Sequence, residues 1–405
     1  MANEEITKVK KVSGGKKESA AKNSHANAKS SSAIKKTAAD VTATKKTTVR
    51  KAATTKKNVA DKTEVVTNLA ADSEKELKID YEITFKPSVL FVASEANPFA
   101  GTGGLADVIG SLPKTLAQNG NYDVRVVIPL YGSISPAYRA MMRFEGNFNV
   151  PVAWRNQYCG LFSLKYEGVT FYFIDNEYYF KRDNLYGYFD DGERFAFFSR
   201  AVLEAMRYTD YYPSVLHCHD WQSALSVIYL KTIYSEIKGF SSVRALFTIH
   251  NIEYQGKYGH ELLQDLFGLP ESCRQIVDYD GCINLMKGAI QLAERFSTVS
   301  RTYAGEIKNP FFAHGLEYMT TANEYKLSGI LNGIDDVLYN PENDDKIFAK
   351  YTADNLAGKA ICKEELQKML ALPVKSDVPI IAIISRLVPA KGLDLIKCVF
   401  EELLS

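Results

Sequence analysis

From Ser88 onward, short apolar runs alternate with longer stretches in which apolar positions recur every three or four residues. Val89–Ala93 (VLFVA) is apolar throughout and predicts a strand buried on both faces. Leu105–Gln118 predicts a helix, and Asp123–Ile128 the next strand. Further strands are predicted at Phe171–Ile174, Val215–His219, Ala245–Ile249 and Phe296–Val299, with helices at Glu193–Tyr208, Trp221–Tyr234 and Ile283–Glu294 between them. Strands that alternate with helices pair in parallel, so the expected fold class is α/β with a doubly wound sheet. Ligands of such sheets bind beyond the carboxyl ends of the strands. Ser94–Glu95, Asp220 and His250–Asn251 fall at those ends.

A second unit is predicted to begin near Ser328, with a short strand and turn at Gly329–Asp335. A helix at Ala357–Leu370, a strongly apolar strand at Val378–Ile384 and a helix from Lys391 follow. One strand and one helix do not bury a parallel sheet, which is normally covered on both faces. The expected division is therefore a tail at 1–80, a main domain at 81–325 and an incomplete second α/β domain at 326–405.

Composition changes the picture only at the amino terminus. The net charge of +1 hides a Lys-, Ala-, Ser- and Thr-rich tail whose first aromatic residue is Tyr81. Such a segment cannot offset its own ordering entropy and is expected to be disordered. What remains is mildly acidic, which argues against a specific nucleic-acid partner. No run approaches the ~18 apolar residues of a membrane span. The tail has no apolar signal core. A plastid transit peptide is a fairer rival, but the tail is Lys-rich rather than Arg-rich, and Glu4 and Glu5 come early. The six cysteines show no C-x-x-C spacing, which suits reduced thiols and a cytoplasmic location.

Four motifs carry candidate chemistry. Gly101–Asp107 (GTGGLAD) lies between a strand and a helix, where exposed backbone amides receive phosphate. It also matches the dinucleotide pattern G-x-G-x-x-A. However, Ser94–Ala100 separates it from its strand, and Asp123 begins the next strand instead of ending it. His217–Trp221 (HCHDW) places two histidines on one face of a strand, with no third metal ligand evident nearby, so no metal is expected. Phe247–Gly256 (FTIHNIEYQG) puts a His–Asn pair just after an apolar strand. Ser385–Gly392 (SRLVPAKG) sets Arg386 and Lys391 five positions apart across a turn, where they could converge on a diphosphate. Each has a plainer reading: a structural turn, a satisfied histidine, an exposed cationic loop.

Together and in this order, these motifs resemble family 5 of the retaining glycosyltransferases, the bacterial glycogen synthases and plant starch synthases. Ser94–Phe99, Glu193–Arg200, Tyr254–Gly256 and Leu331–Asp335 add to the match, which runs from about Val89 to Leu395. The resemblance implies a GT-B fold, two facing doubly wound domains with the site between them. It implies ADP-glucose as substrate, an α-1,4-glucan (glycogen) as acceptor, and no cofactor. His250 is placed beside the reacting sugar, with Arg386 and Lys391 stabilising the departing diphosphate. Thr102, Gly103, Gly104, Asp107, Asp220, Asn251 and Asn332 are placed as substrate-binding or site-shaping residues. Gly101 stands where the family usually has a lysine near the donor diphosphate. The family's second domain also continues well beyond the stretch corresponding to 326–405, with a Glu-Pro-Cys-Gly-like loop. On that reading the chain is carboxy-terminally incomplete and is expected to show little synthase activity. The alternative is an inactive remnant or split-gene fragment that only binds glucan.

Overall fold

The computed structural model describes residues 86–388 and 391–404; the expected disordered tail at 1–80 lies outside them. Among the described residues, twelve strands form two sheets. The first nine-stranded sheet uses β1 (Ser88–Val92), β2 (Asp123–Pro129), β3 (Arg143–Val152), β4 (Arg155–Tyr166), β5 (Val169–Asp175), β6 (Val215–His219) and β7 (Arg244–Ile249). A small sheet takes β8 (Lys257–Tyr258), β9 (Asp278–Tyr279) and β10 (Cys282–Asn284), and the large sheet resumes with β11 (Arg295–Thr298) and β12 (Leu327–Gly329).

The large sheet runs β12-β11-β7-β6-β1-β2-β5-β4-β3. Every pair from β12 to β5 is parallel, and β5-β4-β3 is an antiparallel extension. From β1 the chain first builds outward through β2 and β5. It then crosses back to β6 and builds the other way through β7, β11 and β12. The order reverses between β1 and β6, and a crevice opens there beyond the strand ends. Register aligns those ends: Val92 lies opposite Cys218, His219 opposite Thr248, and Ile249 opposite Thr298.

The parallel strands and helices predicted between Val89 and Val299 all form, with bounds shifted by at most three residues. The central strands are apolar because helices cover both faces: Phe91, Val126, Leu216, Phe247 and Phe296 are all buried. The helix Asp220–Lys231 is buried along almost its whole length, between the Asp191–Tyr208 and Leu285–Leu292 helices. Its apolar run Ala224–Leu230 therefore faces protein on every side. The β3–β4 hairpin was not predicted. Its alternation is present, with Phe148, Val150 and Val152 turned inward, but Asn149 and Pro151 between them, and Glu145, Gly146 and Asn147 before them, interrupt the apolar run.

The carboxy-terminal expectations meet two corrections. The strand near Gly329 is Leu327–Gly329, and it joins the edge of the first sheet beside β11. Val378–Ile384 forms no strand, and Ile384 is 98% exposed. No other strand among the described residues lies beside this segment, and extended backbone without a ladder partner has nothing to hold it. Two helices, Ala357–Met369 and Leu393–Leu404, account for the regular structure after Gly329 among the described residues. Asp335 is tied back to the first helix: its carboxylate lies 3.7 Å from Lys114 Nζ and 3.5 Å from Ser111 Oγ. Among the described residues, no helix is long and apolar enough to cross a membrane.

Candidate active site

The crevice at the β1/β6 switch point is built from loops that leave four strand ends. After β1 the chain turns sharply, with Ala96 and Ala100 exchanging backbone hydrogen bonds of 2.8 and 2.9 Å. This brings Gly101 against the next helix. A Cβ at Gly101 would come within 2.5 Å of Ala106 Cβ and 2.8 Å of Asn97 Oδ1. The lysine that the resemblance would place here does not fit the loop as it stands. Gly103 then caps the 15-residue helix Gly104–Gln118 without a side-chain hydrogen bond. Gly103 and Gly104 are exposed, and nothing lies within 4 Å of where their Cβ atoms would stand. The helix therefore presents its first free amides, with their partial positive charge, to open space.

Glu95 forms the wall behind that helix end and is 4% exposed. Its carboxylate accepts from the Thr102 amide, from Thr102 Oγ1 at 2.9 Å and from the Tyr186 hydroxyl at 2.6 Å. Because the Tyr186 proton goes to Glu95, Ser94 Oγ donates to Tyr186 across 2.7 Å. Burial pushes the Tyr186 phenol well above its ordinary pKa, which keeps it a neutral donor. The loop that carries Tyr186 is braced by Arg194, fully buried, which donates to Tyr179 O at 2.8 Å and Leu185 O at 3.1 Å and pairs with Asp191. Asp107 faces outward and accepts from Asn97 Nδ2 at 2.7 Å.

The second half of the site comes from β6 and β7. Asp220 sits just past β6 in the left-handed region, with φ +54°. Its Oδ1 accepts from the His250 amide at 2.7 Å and more weakly from the Asn251 amide at 3.4 Å. One carboxylate oxygen thus holds the two peptide planes that flank His250. In a trans peptide the carbonyl points opposite the following N–H. The His250 carbonyl is therefore aimed away from Asp220. Burial raises the Asp220 carboxyl above its ordinary pKa, and the His250 side chain and amide oppose the rise. Asn251 spends its Oδ1 on the Glu253 amide at 2.9 Å, which tightens the turn.

Three imidazoles line the strand ends. His219 Nδ1 meets His250 Nε2 at 3.0 Å, and His217 Nε2 meets Thr248 Oγ1 at 2.7 Å. Thr248 Oγ1 in turn lies 2.8 Å from Ser297 Oγ. Burial is the leading cause that lowers all three histidine pKa values, His217 to about 3. All three rings are neutral near pH 7.

The remaining motif residues frame the pocket. A Cβ at Gly256 would come within 2.8 Å of the Trp221 ring, and φ there is +67°. Gln255 Nε2 donates to Ile252 O at 2.9 Å and His314 O at 3.0 Å, and its Oε1 accepts from Asn284 Nδ2 at 2.7 Å. The Tyr-Gln-Gly segment thus packs the loop under Trp221.

Of the residues singled out by sequence, Thr102, Gly103, Gly104, Asp107, Asp220, His250 and Asn251 stand at these adjoining strand ends. Asn332, Arg386 and Lys391 are exposed, and among the described residues no side-chain hydrogen bond or ion pair joins them to the His250 cluster. Sequence reasoning passed over Tyr186 and the His219–His250 contact. Tyr186 lies 91 residues from Glu95, with no local pattern to join them.

An open doubly wound sheet with a bare helix amino terminus at its switch point, beside peptides clamped by the half-buried Asp220, is an arrangement suited to a phosphate-bearing ligand. The starch synthase catalytic domain family matches residues 88–322, and the chain belongs to that family, glycosyltransferase family 5. It is 47% identical over 319 residues to a glycogen synthase of Anoxybacillus flavithermus, covering 78% of this chain and 66% of that one. It is 48% identical over 320 residues to a glycogen synthase of Clostridium acetobutylicum, covering 78% of this chain and 67% of that one. Among solved structures, the catalytic domain of starch synthase IV from Arabidopsis thaliana, bound to ADP and acarbose, aligns with a TM-score of 0.72 at 32% identity. That alignment covers 78% of this chain and 66% of the Arabidopsis chain. The match thus spans about two thirds of the length of these relatives.

Proposed function

We propose that this chain serves transfer of glucose from ADP-glucose to the non-reducing end of an α-1,4-glucan, with retention at the anomeric carbon. The observation that carries the reading is the clamp of Asp220 on the two peptides flanking His250, next to the bare helix end at Gly103–Gly104. Departure of a diphosphate leaves positive character at the anomeric carbon and gathers negative charge on the leaving oxygen. A carbonyl fixed in advance supports the first, and fixed N–H donors support the second without reorganising during the reaction. His250 supplies the carbonyl, and Gly103 and Gly104 supply amides. Arg386 and Lys391 are assigned to the same diphosphate. Thr102, Asp107, Asn251 and Asn332 shape or contact the bound sugars. Tyr254, more than half exposed on the His250 loop, offers an aromatic face of the kind that stacks on glucose rings. The main domain is assigned to 81–325 and the donor side to 326–405. The six free thiols support a reducing, cytoplasmic setting.

The test is incorporation of labelled glucose from ADP-glucose into glycogen, together with calorimetric binding of ADP-glucose and retardation in glycogen-containing native gels. The reading expects both ligands to bind and, in a form that shows synthase activity, Asp220→Ala to abolish incorporation. Glycogen retardation without ADP-glucose binding would replace it with a glucan-binding role, and binding of neither would end it.

A further inference from the structure

His219 carries an unusual burden. Its ring is fully buried, lies 4.1 Å centroid to centroid from His217 and stacks at 15° on Phe91. Nδ1 faces His250 Nε2 at 3.0 Å. Nε2 is buried, and no hydrogen-bond partner reaches it among the described residues. A neutral imidazole carries one proton, on one nitrogen or the other. A proton on Nε2 would leave a buried N–H donor with no acceptor, a situation that folded proteins rarely tolerate. A proton on Nδ1 is used at once, because it points at His250.

We propose that His219 is a positioning residue that fixes the tautomer of His250, donating from its own Nδ1–H to His250 Nε2. It follows that the His250 proton sits on Nδ1. His250 therefore presents to the crevice an N–H donor suited to a sugar hydroxyl oxygen, and not a basic nitrogen. The low-lying pKa values of both rings agree, since a charged His250 would carry protons on both nitrogens and face a donor with a donor. Thr248 and Ser297 occupy His217 in a separate chain of hydrogen bonds, so His217 does not compete for His250. The inference deepens the reading of His250 as a sugar-facing residue and rests on that reading for its functional meaning.

Long-range proton–nitrogen NMR correlations of the imidazoles in the full chain test it, with His250 assigned by its loss in His250→Gln. In the wild type, His250 Nε2 is expected at the unprotonated position and Nδ1 at the protonated one. In His219→Phe the bias is removed, and the His250 proton should move wholly or partly to Nε2. In His219→Asn the amide replaces the lost donor, and the wild-type pattern should persist. Protonated His250 Nε2 in the wild type overturns the proposal, as does an unchanged pattern in His219→Phe. If that variant does not fold, the wild-type and His219→Asn spectra decide. Addition of ADP-glucose separates the two levels of the argument. A shift at His250 Nδ1 supports its sugar-facing role, whereas an unmoved signal refutes that role and leaves the tautomer assignment standing.

Discussion

The neutral state of the buried histidines has a measurable consequence for stability. His217 is 8% exposed and packs 4.8 Å from the Phe91 ring, and burial lowers its pKa from the ordinary 6.5 to about 3. As pH falls below 6.5, the unfolded chain takes up a proton on this ring and the folded chain does not. The unfolded state then binds more protons, so stability falls with pH across the window from 6.5 to about 3. The slope is about 1.4 kcal/mol per pH unit, or roughly 2.7 kcal/mol lost between pH 7.5 and 4.5 from this one residue. His219 acts in the same direction, and the raised pKa of Asp220 acts in the opposite one. The comparison that isolates His217 is therefore wild type against His217→Gln, whose amide can still reach Thr248. Urea unfolding followed by the fluorescence of Trp221 and Trp154 gives the free energies at each pH. The variant should be the less stable protein at pH 7.5, and the gap should narrow or reverse by about 2–3 kcal/mol at pH 4.5. Parallel profiles would mean that His217 is protonated in the folded chain, or that acid opens this region before the domain unfolds.

Gly101→Ala should lower stability by about 1–3 kcal/mol, because its Cβ would press on Ala106 and Asn97; an unchanged melting temperature would show that the loop yields freely. Asp220→Asn keeps the shape of the side chain but removes the charge that orients the two peptide N–H groups. In a form that shows synthase activity it should lower kcat by roughly 100-fold, the scale of one preorganised polar contact, and a change confined to the KM for glycogen would contradict the clamp. Arg386→Ala in the same form should lower kcat by roughly 100-fold if it stabilises leaving-group charge; an effect on the acceptor KM alone would make it an acceptor contact. Limited proteolysis should cut first near Asn343–Asp345 or between Leu372 and Asp377, where the chain is mostly exposed, and leave a fragment from about residue 86 to 325. Equal resistance of both parts would refute the division at 326.

The parallel half of the sheet was legible because its strands are buried on both faces. Val89–Ala93 and Ala245–Ile249 each read as an uninterrupted or nearly uninterrupted apolar run, whatever their neighbours. The β3–β4 hairpin is half exposed, so its inward residues are diluted by polar ones and its signal is weaker. Val378–Ile384 shows the limit of such reading. Apolar β-branched content expresses a capacity to pair, but a strand exists only when another strand supplies the facing N–H and C=O groups.

The order of the motifs along the chain was enough to place Gly101–Asp107, Asp220 and His250 at strand ends, and so to identify the family. What the tertiary structure alone decided is how these ends meet. The reversal of strand order between β1 and β6, and the register that sets His219 opposite Thr248, bring His219 within 3.0 Å of His250, 31 positions along the chain. The same folding brings Tyr186 onto Glu95 and places the Asp220 carboxylate under the peptides around His250. Local sequence sets which residues stand at the end of a strand, because that depends on the period and extent of one apolar run. Which side chains touch across two strands depends on their order and stagger, and those come from the packing of the whole sheet.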